Sequence, residues 1–297
     1  MLLEVVGLKK YFGGLKAVDD VSFNVNRGEI VSLIGPNGAG KTTLFNCLTG
    51  VIKPSGGEVY FHGANYDDRS DADSAERLSI KGYRPDRVAK VGISRTFQNI
   101  RLFSDLSVID NVKIGRHIRT KTHFLGAVFL TKPYVELEKS IEKDSMHALK
   151  FVGIPHKAGQ LATNLPYGEQ KLLEIARALA VEPLLLLLDE PAAGMNPFET
   201  NQLMRLIKKI KDTGVTVLLI EHDMRLVMNI SDRIVVLNYG RKIAEGTPGE
   251  IKEDKEVVEA YLGGDLDPSN SKAPLPLEGS SGKTSIEEPQ REESDDA

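Results

Sequence analysis

Apolar and polar residues follow one another along this chain in changing rhythms, and the changes predict its elements. Residues 2–7 and 20–26 read as strands, the second with Val21, Phe23 and Val25 alternating with polar residues as a half-buried strand requires. The run Glu29 to Ile34 predicts a third strand and Thr43 to Leu48 a helix closed by Gly50; Glu58 to Phe61 is a further strand entered through a turn at 53–57. From Asn65 to Asp86 polar residues dominate, which suggests a surface excursion. A short helical pattern at Arg87–Val91 then leads to a strand from Ile93 to Phe97. Helical periodicity returns over Ser107–Ile118 and Tyr134–Val152, so about 99–165 reads as a helical subdomain inserted into an α/β protein.

A tight turn at 165–170 precedes a helix whose buried side is read as Leu172, Leu173, Ile175, Ala176, Leu179 and Ala180. Pro183 stops it. Five consecutive leucines, Leu184 to Leu188, suit a strand buried on both faces. Helix Thr200–Lys211, strand Val215–Ile220, helix Asp223–Ile230 and strand Arg233–Leu237 then alternate, which predicts a largely parallel sheet. Residues 240–246 and helical patterns near 248–254 and 257–262 complete a domain over 1–262. From 263 to 297 Pro, Ser, Gly and Glu dominate, and a flexible acidic tail is expected.

Composition narrows the class. With 297 residues, 41% hydrophobic and 27% charged, the chain can build a sizeable core. Its longest apolar run, Pro183 to Leu188, is far shorter than the roughly 18–20 residues that span a bilayer. Glu4 interrupts what would be the apolar centre of an export signal, so a cytoplasmic protein is expected. The single cysteine, Cys47, has no disulfide partner and reads as packing. Net charge is −4, yet 263–297 holds nine acidic and three basic residues, which leaves the rest at +2. No strongly basic face is announced, and no nucleic-acid partner is expected.

The chemistry starts at Gly35-Pro36-Asn37-Gly38-Ala39-Gly40-Lys41-Thr42-Thr43. The stretch fits the phosphate-binding pattern G-x-x-x-x-G-K-[ST] between a predicted strand and a predicted helix, the context that pattern needs. Its glycines let consecutive N–H groups and a helix N-terminus converge on a polyphosphate. Lys41 would reach the β- and γ-phosphates, and the Thr42 hydroxyl would ligate Mg²⁺. Asp189 and Glu190 end the leucine strand. There Asp189 could hold Mg²⁺ through its water shell and Glu190 could act as general base on the attacking water. Two acids can also simply mark a strand end, and Tyr11-Phe12 before Gly13 can be core aromatics.

Five features thus stand in one order: the phosphate loop, Gln98, the turn with Gly168, the Asp189-Glu190 pair, and His222 after another strand. Together they resemble the ATP-binding cassette family, the motor subunits of ABC transporters, over nearly all of Leu2 to Leu262. Arg-Thr-Phe-Gln at 95–98, Leu-Pro-Tyr-Gly-Glu-Gln at 165–170, Asp-Glu-Pro-Ala-Ala-Gly-Met-Asn-Pro at 189–197 and Ile-Glu-His-Asp-Met at 220–224 are similar to cassettes of branched-chain amino-acid importers. The resemblance implies a P-loop NTPase core of α/β class with a mixed, largely parallel sheet, an N-terminal antiparallel β subdomain and an α-helical subdomain. It implies ATP and Mg²⁺, with Gln98 joining metal and water to the helical insertion and His222 contacting the γ-phosphate. Phe12, aligned on Gly13, would stack on adenine. Pro166, Gly168 and Glu169 would face the nucleotide of a second cassette. Two departures stand out. Pro166 replaces the serine usual in Leu-Ser-Gly-Gly-Gln, and Asn196 stands where many cassettes have aspartate.

The implied assembly is two cassettes, identical or related, sandwiching two ATP molecules against transmembrane permease subunits, with a substrate-binding protein in the same system. The implied location is the cytoplasmic face of the inner membrane. Arg101, Leu102 and Phe103 are candidate permease contacts, although a Leu-Phe pair could equally be buried locally. A cassette for urea, an amide or lipid export, or a non-transport ABC ATPase of translation or DNA repair, are the alternatives. Non-transport relatives usually carry two cassettes or a long coiled coil. Here there is one phosphate loop, one signature and no sustained heptads. A kinase or GTPase would share the loop alone.

Overall fold

The computed structural model describes residues 1–63, 77–118, 120 and 131–262. Two sheets meet over a common core. The first pairs β2 (Leu15–Val25), β1 (Leu3–Phe12), β4 (Gly56–Phe61) and β5 (Leu78–Ser79), all antiparallel. The second has the order β10 (Arg241–Gly246), β9 (Arg233–Asn238), β3 (Ile30–Ile34), β8 (Thr216–Ile220), β7 (Leu185–Asp189), β6 (Ile93–Arg95). Every neighbour in it is parallel except β10, which turns back on β9 through Tyr239-Gly240. Both turn residues have positive φ, 44° and 78°, as the twist of a two-residue hairpin favours.

Strand β7 explains the architecture. Leu185 and Leu187 join a core with β1, β2, β4 and helix α1 (Lys41–Leu48), whereas Leu186 and Leu188 join a second core on the opposite face. A continuous apolar run is what period-two burial on both faces requires. The second core is closed by α3 (Val108–His117), α4 (Lys132–Val152), α5 (Tyr167–Leu179), α6 (Pro197–Asp212) and α7 (Met224–Ile230), while α2 (Pro85–Lys90) precedes β6 on the first side. Along α4 the buried residues are Ile141, Ser145, Leu149 and Val152, a stripe at helical spacing. A smaller cluster packs α8 (Pro248–Glu253) and α9 (Lys255–Leu262) against Ile34, Ile234 and Val236.

Several expectations need correction. Lys10 to Phe12 do not lie between two strands; they are the end of β1, which pairs with Leu15 to Val18 across a tight turn. Of the excursion expected at 65–86, residues 65–76 lie outside the described residues, and 77–86 contain β5 and the start of α2. On α5, Leu172 and Leu179 are only partly buried, while Lys171 and Glu174 are buried almost completely. The residues expected as an acidic tail, 263–297, fall outside the description. No helix among the described residues is long and apolar enough to cross a membrane.

Candidate functional site

A cleft of about 500 Å³ opens at the C-terminal ends of the parallel strands, the side on which open α/β sheets bind ligands. It is lined by Phe12, residues 37–43, Gln98, Glu190 and Tyr239, among others. Strand β3 delivers the chain to Gly35, and Gly40 takes φ 98° to cap α1. A Cβ at Gly40 would run into the Ala17 carbonyl, so only glycine fits this approach to β2. The first bond of α1 is donated by Leu44 N–H to the Gly40 carbonyl at 2.9 Å, so the preceding amides start the helix without intrahelical acceptors and suit an anion.

Lys41 is folded onto its own loop. Its ammonium donates to the carbonyls of Gly35 at 2.6 Å and Pro36 at 2.9 Å. Burial lowers its pKa below the usual lysine range, opposed by the charges of Glu190 and Asp189. Two of the three ammonium donors are therefore occupied by groups that a phosphate could replace.

Asp189 and Glu190 have different surroundings. Asp189 is 1% exposed; its Oδ2 pairs with Arg95 Nη2 at 2.6 Å and its Oδ1 is buried without a hydrogen-bond partner. Arg95 also donates to Asn46 and Thr49 on and beyond α1, which ties the strand end to the helix of the phosphate loop. Glu190 leaves the strand in a left-handed conformation, φ 47°, a strained geometry for a non-glycine residue. Its Oε2 accepts from Gln98 Nε2 at 2.9 Å and lies 3.8 Å from His222 Nδ1. Gln98, Glu190 and His222, from three separate segments, thus meet at one carboxylate.

The remaining expected residues are placed as follows. Gly35 and Pro36 cover the Lys41 ammonium. Ala39 is buried while Asn37, Gly38 and Thr42 are exposed. Phe12 is half-exposed on the cleft wall, with Lys10 Nζ 4.7 Å from its ring centre. Pro166, Gly168 and Glu169 do not line this cleft. Pro166 caps α5 without a side-chain bond, and Glu169 lies 3.4 Å from Lys157. A Cβ at Gly168 would lie 2.7 Å from Glu199 Oε1. Leu102 and Phe103 divide the two readings offered for them, Leu102 packing on the second core and Phe103 being half-exposed.

Sequence reasoning missed two residues of this site. Tyr239 is 86% exposed on the rim with positive φ; its one signal is the adjacent Gly240 at a strand-to-strand junction. Glu221 is buried, and its carboxylate accepts from Ala192 N–H at 2.8 Å and His222 N–H at 3.2 Å. It joins the segments after Glu190 and at His222, and burial holds its carboxyl above the usual range. A second cleft, about 360 Å³, lies toward the N-terminal ends of β7 and β8, between Phe151, Pro183 and Val215, and holds none of the expected site residues.

Residues 18–193 match the family described as ABC transporter. The chain belongs to the ABC transporter ATP-binding cassette family. Residues 241–267 of this cassette match a second family, described as branched-chain amino acid ATP-binding cassette transporter. The cassette is 44% identical to the high-affinity branched-chain amino acid transport ATP-binding protein BraF of Pseudomonas aeruginosa, over 88% of this chain and 98% of that protein. It is 43% identical to LivG of Escherichia coli, which carries the same description, again over 88% and 98%. Among solved structures, a nucleotide-free ATP-binding cassette from an ABC transporter superposes with TM-score 0.72 at 35% identity, covering 88% of this chain and 98% of its own. The ADP conformation of the ATP-binding cassette MJ1267 gives 0.73 at 34% identity with the same coverage. The predicted α/β cassette core and ATPase class agree with these relatives.

Proposed function

We propose that this cassette is the ATP-hydrolysing subunit of an importer for branched-chain or related amino acids. The observation that carries the catalytic assignment is the meeting of Gln98 and Glu190, 2.9 Å apart, in the cleft that also contains the phosphate loop. Bound there, ATP would stack its base against Phe12, and its phosphates would draw Lys41 away from the Gly35 and Pro36 carbonyls. Glu190 accepts the proton of a water in line with the γ-phosphorus as that water's oxygen bonds to phosphorus and the bond to ADP breaks. Gln98 and His222 flank Glu190 and hold water and γ-phosphate in line. Pro166, Gly168 and Glu169, outside this cleft, would complete the site of a second cassette. A proline lacks both hydroxyl and N–H, so at Pro166 one neutral hydrogen bond, about 0.5–1.5 kcal/mol, is forgone.

Thr42, Gln98 and Asp189 present hydroxyl, amide and carboxylate oxygens, the hard donors that suit Mg²⁺. The orphaned, buried Asp189 Oδ1 fits the role, with Arg95 balancing charge at the other oxygen. Among the described residues no group of three His, Cys, Asp or Glu could hold a metal; Mg²⁺ characteristically relies on substrate phosphates and few protein ligands. When bound it would neutralise charge developing on the phosphates.

The transport reading draws on the relatives' names and on the match at 241–267. It entails permease subunits, a second cassette, a substrate-binding protein and a peripheral position at the cytoplasmic membrane face. A dimeric bacterial cassette is among the similar solved structures, at 25% identity and TM-score 0.67. In Glu190→Gln, turnover should drop at least about a hundredfold, the scale of a lost general base, while equilibrium ATP binding persists. Undiminished turnover would remove Glu190 as the base. Purification of the tagged chain from membranes should bring membrane-spanning subunits with it; recovery with ribosomes or DNA-repair proteins alone would refute the transport reading.

A further inference from the structure

Helix α5 buries two charges on the face where its pattern calls for apolar residues. Lys171 is 2% exposed and Glu174 1% exposed, one turn apart and on the same side of the helix. Neither lines the nucleotide cleft. Both hold backbone: Lys171 Nζ donates to the Gln98 carbonyl at 2.9 Å, and the Phe97 N–H donates to Glu174 Oε1 at 3.1 Å. The two bonds grip the Phe97-Gln98 dipeptide at its two ends. The side chain of that same Gln98 donates to Glu190.

Burying an ammonium and a carboxylate is costly where leucines could fill the space. Burial accordingly pushes the Lys171 amine below its usual range and the Glu174 carboxyl above its own, each partly offset by the other's charge. Apolar side chains would pack α5 against the sheet, but they would leave the Phe97 N–H and the Gln98 carbonyl without these partners. Gln98 stands just beyond β6, whose three residues supply ladder bonds only as far as Arg95, with Thr96 N–H bonded to the Leu187 carbonyl. At Phe97 and Gln98 the backbone hold comes from α5, before Asn111 of α3 takes over at Phe103.

We propose that Lys171 and Glu174 are positioning residues for ATP hydrolysis, fixing the Phe97-Gln98 backbone so that the Gln98 amide stays against Glu190. The helix that starts behind Pro166 is thereby tied to the base end of its own cleft. The inference rests on the assignment of Glu190 made above.

The test uses the full chain, with steady-state ATPase, equilibrium ATP binding and thermal melting measured for Lys171→Met, Lys171→Arg, Glu174→Gln and Glu174→Leu. The Lys171 substitutions are repeated in a Gln98→Ala background. Lys171→Met should lower kcat about tenfold to a hundredfold, the scale of one charge-assisted hydrogen bond, with ATP affinity changed less than about twofold. Lys171→Arg should recover most of the rate. In the Gln98→Ala background Lys171→Met should have no further effect, because the group it positions is gone. An equal loss in both backgrounds would overturn the proposal, as would a loss that only follows the folded fraction. Should Lys171→Met fail to fold, the Glu174 pair decides: Gln keeps an acceptor for Phe97 N–H and should retain the rate, Leu should lose it, and equal losses would refute positioning. Full turnover in Glu190→Gln would strike the base assignment instead, a separate result from the additivity of Lys171 and Gln98.

Discussion

Asp189 and Glu190 are adjacent acids made unlike by one backbone turn. Asp189 ends a five-residue buried strand and meets Arg95, whereas Glu190 takes positive φ and reaches the cleft. A charge near the second sheet's edge shows the same dependence on partners. Asp19 accepts from the Tyr11 hydroxyl at 2.6 Å and from Arg241 at 2.8 Å, joining β1, β2 and β10. The Tyr11 bond first, and the Arg241 bond second, lower its pKa from 3.8 to about 2. With the folded value below the unfolded one, this contribution is present above the unfolded pKa and is lost as pH falls through the folded one. Asp19→Asn should therefore lower the melting temperature near neutrality and flatten its fall between about pH 3.8 and 2. Parallel pH profiles for the two proteins would show that the interaction contributes nothing.

At the scale of elements, Asn196 has a structural task visible only with α6 in place. Its side chain accepts from Glu199 N–H at 2.9 Å and its own N–H donates to Glu199 Oε2 at 2.9 Å, a capping box at the helix start. Asn196→Ala should cost about 1 kcal/mol, or about 2–4 °C in melting temperature for a domain of this size. Asn196→Asp keeps an acceptor and should melt as the parent does; a matching loss in both variants would show that the amide does something besides capping. The other arm of the box, Glu199, stands where a Cβ on Gly168 would collide with it, so the starts of α5 and α6 are in close contact. Strand β7 and most helices were legible as elements because apolar spacing is a local property. The buried charges of α5 were not legible, since periodicity marks which face is inward and says nothing of what lies opposite it.

For the whole chain, a first unit spans Met1–Gly264. Every residue assigned here to nucleotide or catalysis lies in the first unit. A chain ending at Gly264 should therefore keep nearly all of its ATPase rate, measured against the full-length protein; a large loss would give residues 265–297 a part in turnover. The sequence by itself determined the phosphate loop between strand and helix, the alternation that builds a parallel sheet, and the order of motifs that marks the family. These are local patterns, carried by neighbours along the chain. Tertiary structure alone decided which distant groups meet: Arg95 with Asp189 across 94 residues, Gln98 with Glu190 across 92, Lys171 with the Gln98 carbonyl across 73. It also extended β1 through Phe12, turned β10 back against β9 and brought Tyr239 to the rim. The reason is physical: a side chain's partner is set by the packing of whole elements, and no spacing within one segment records what another will present to it.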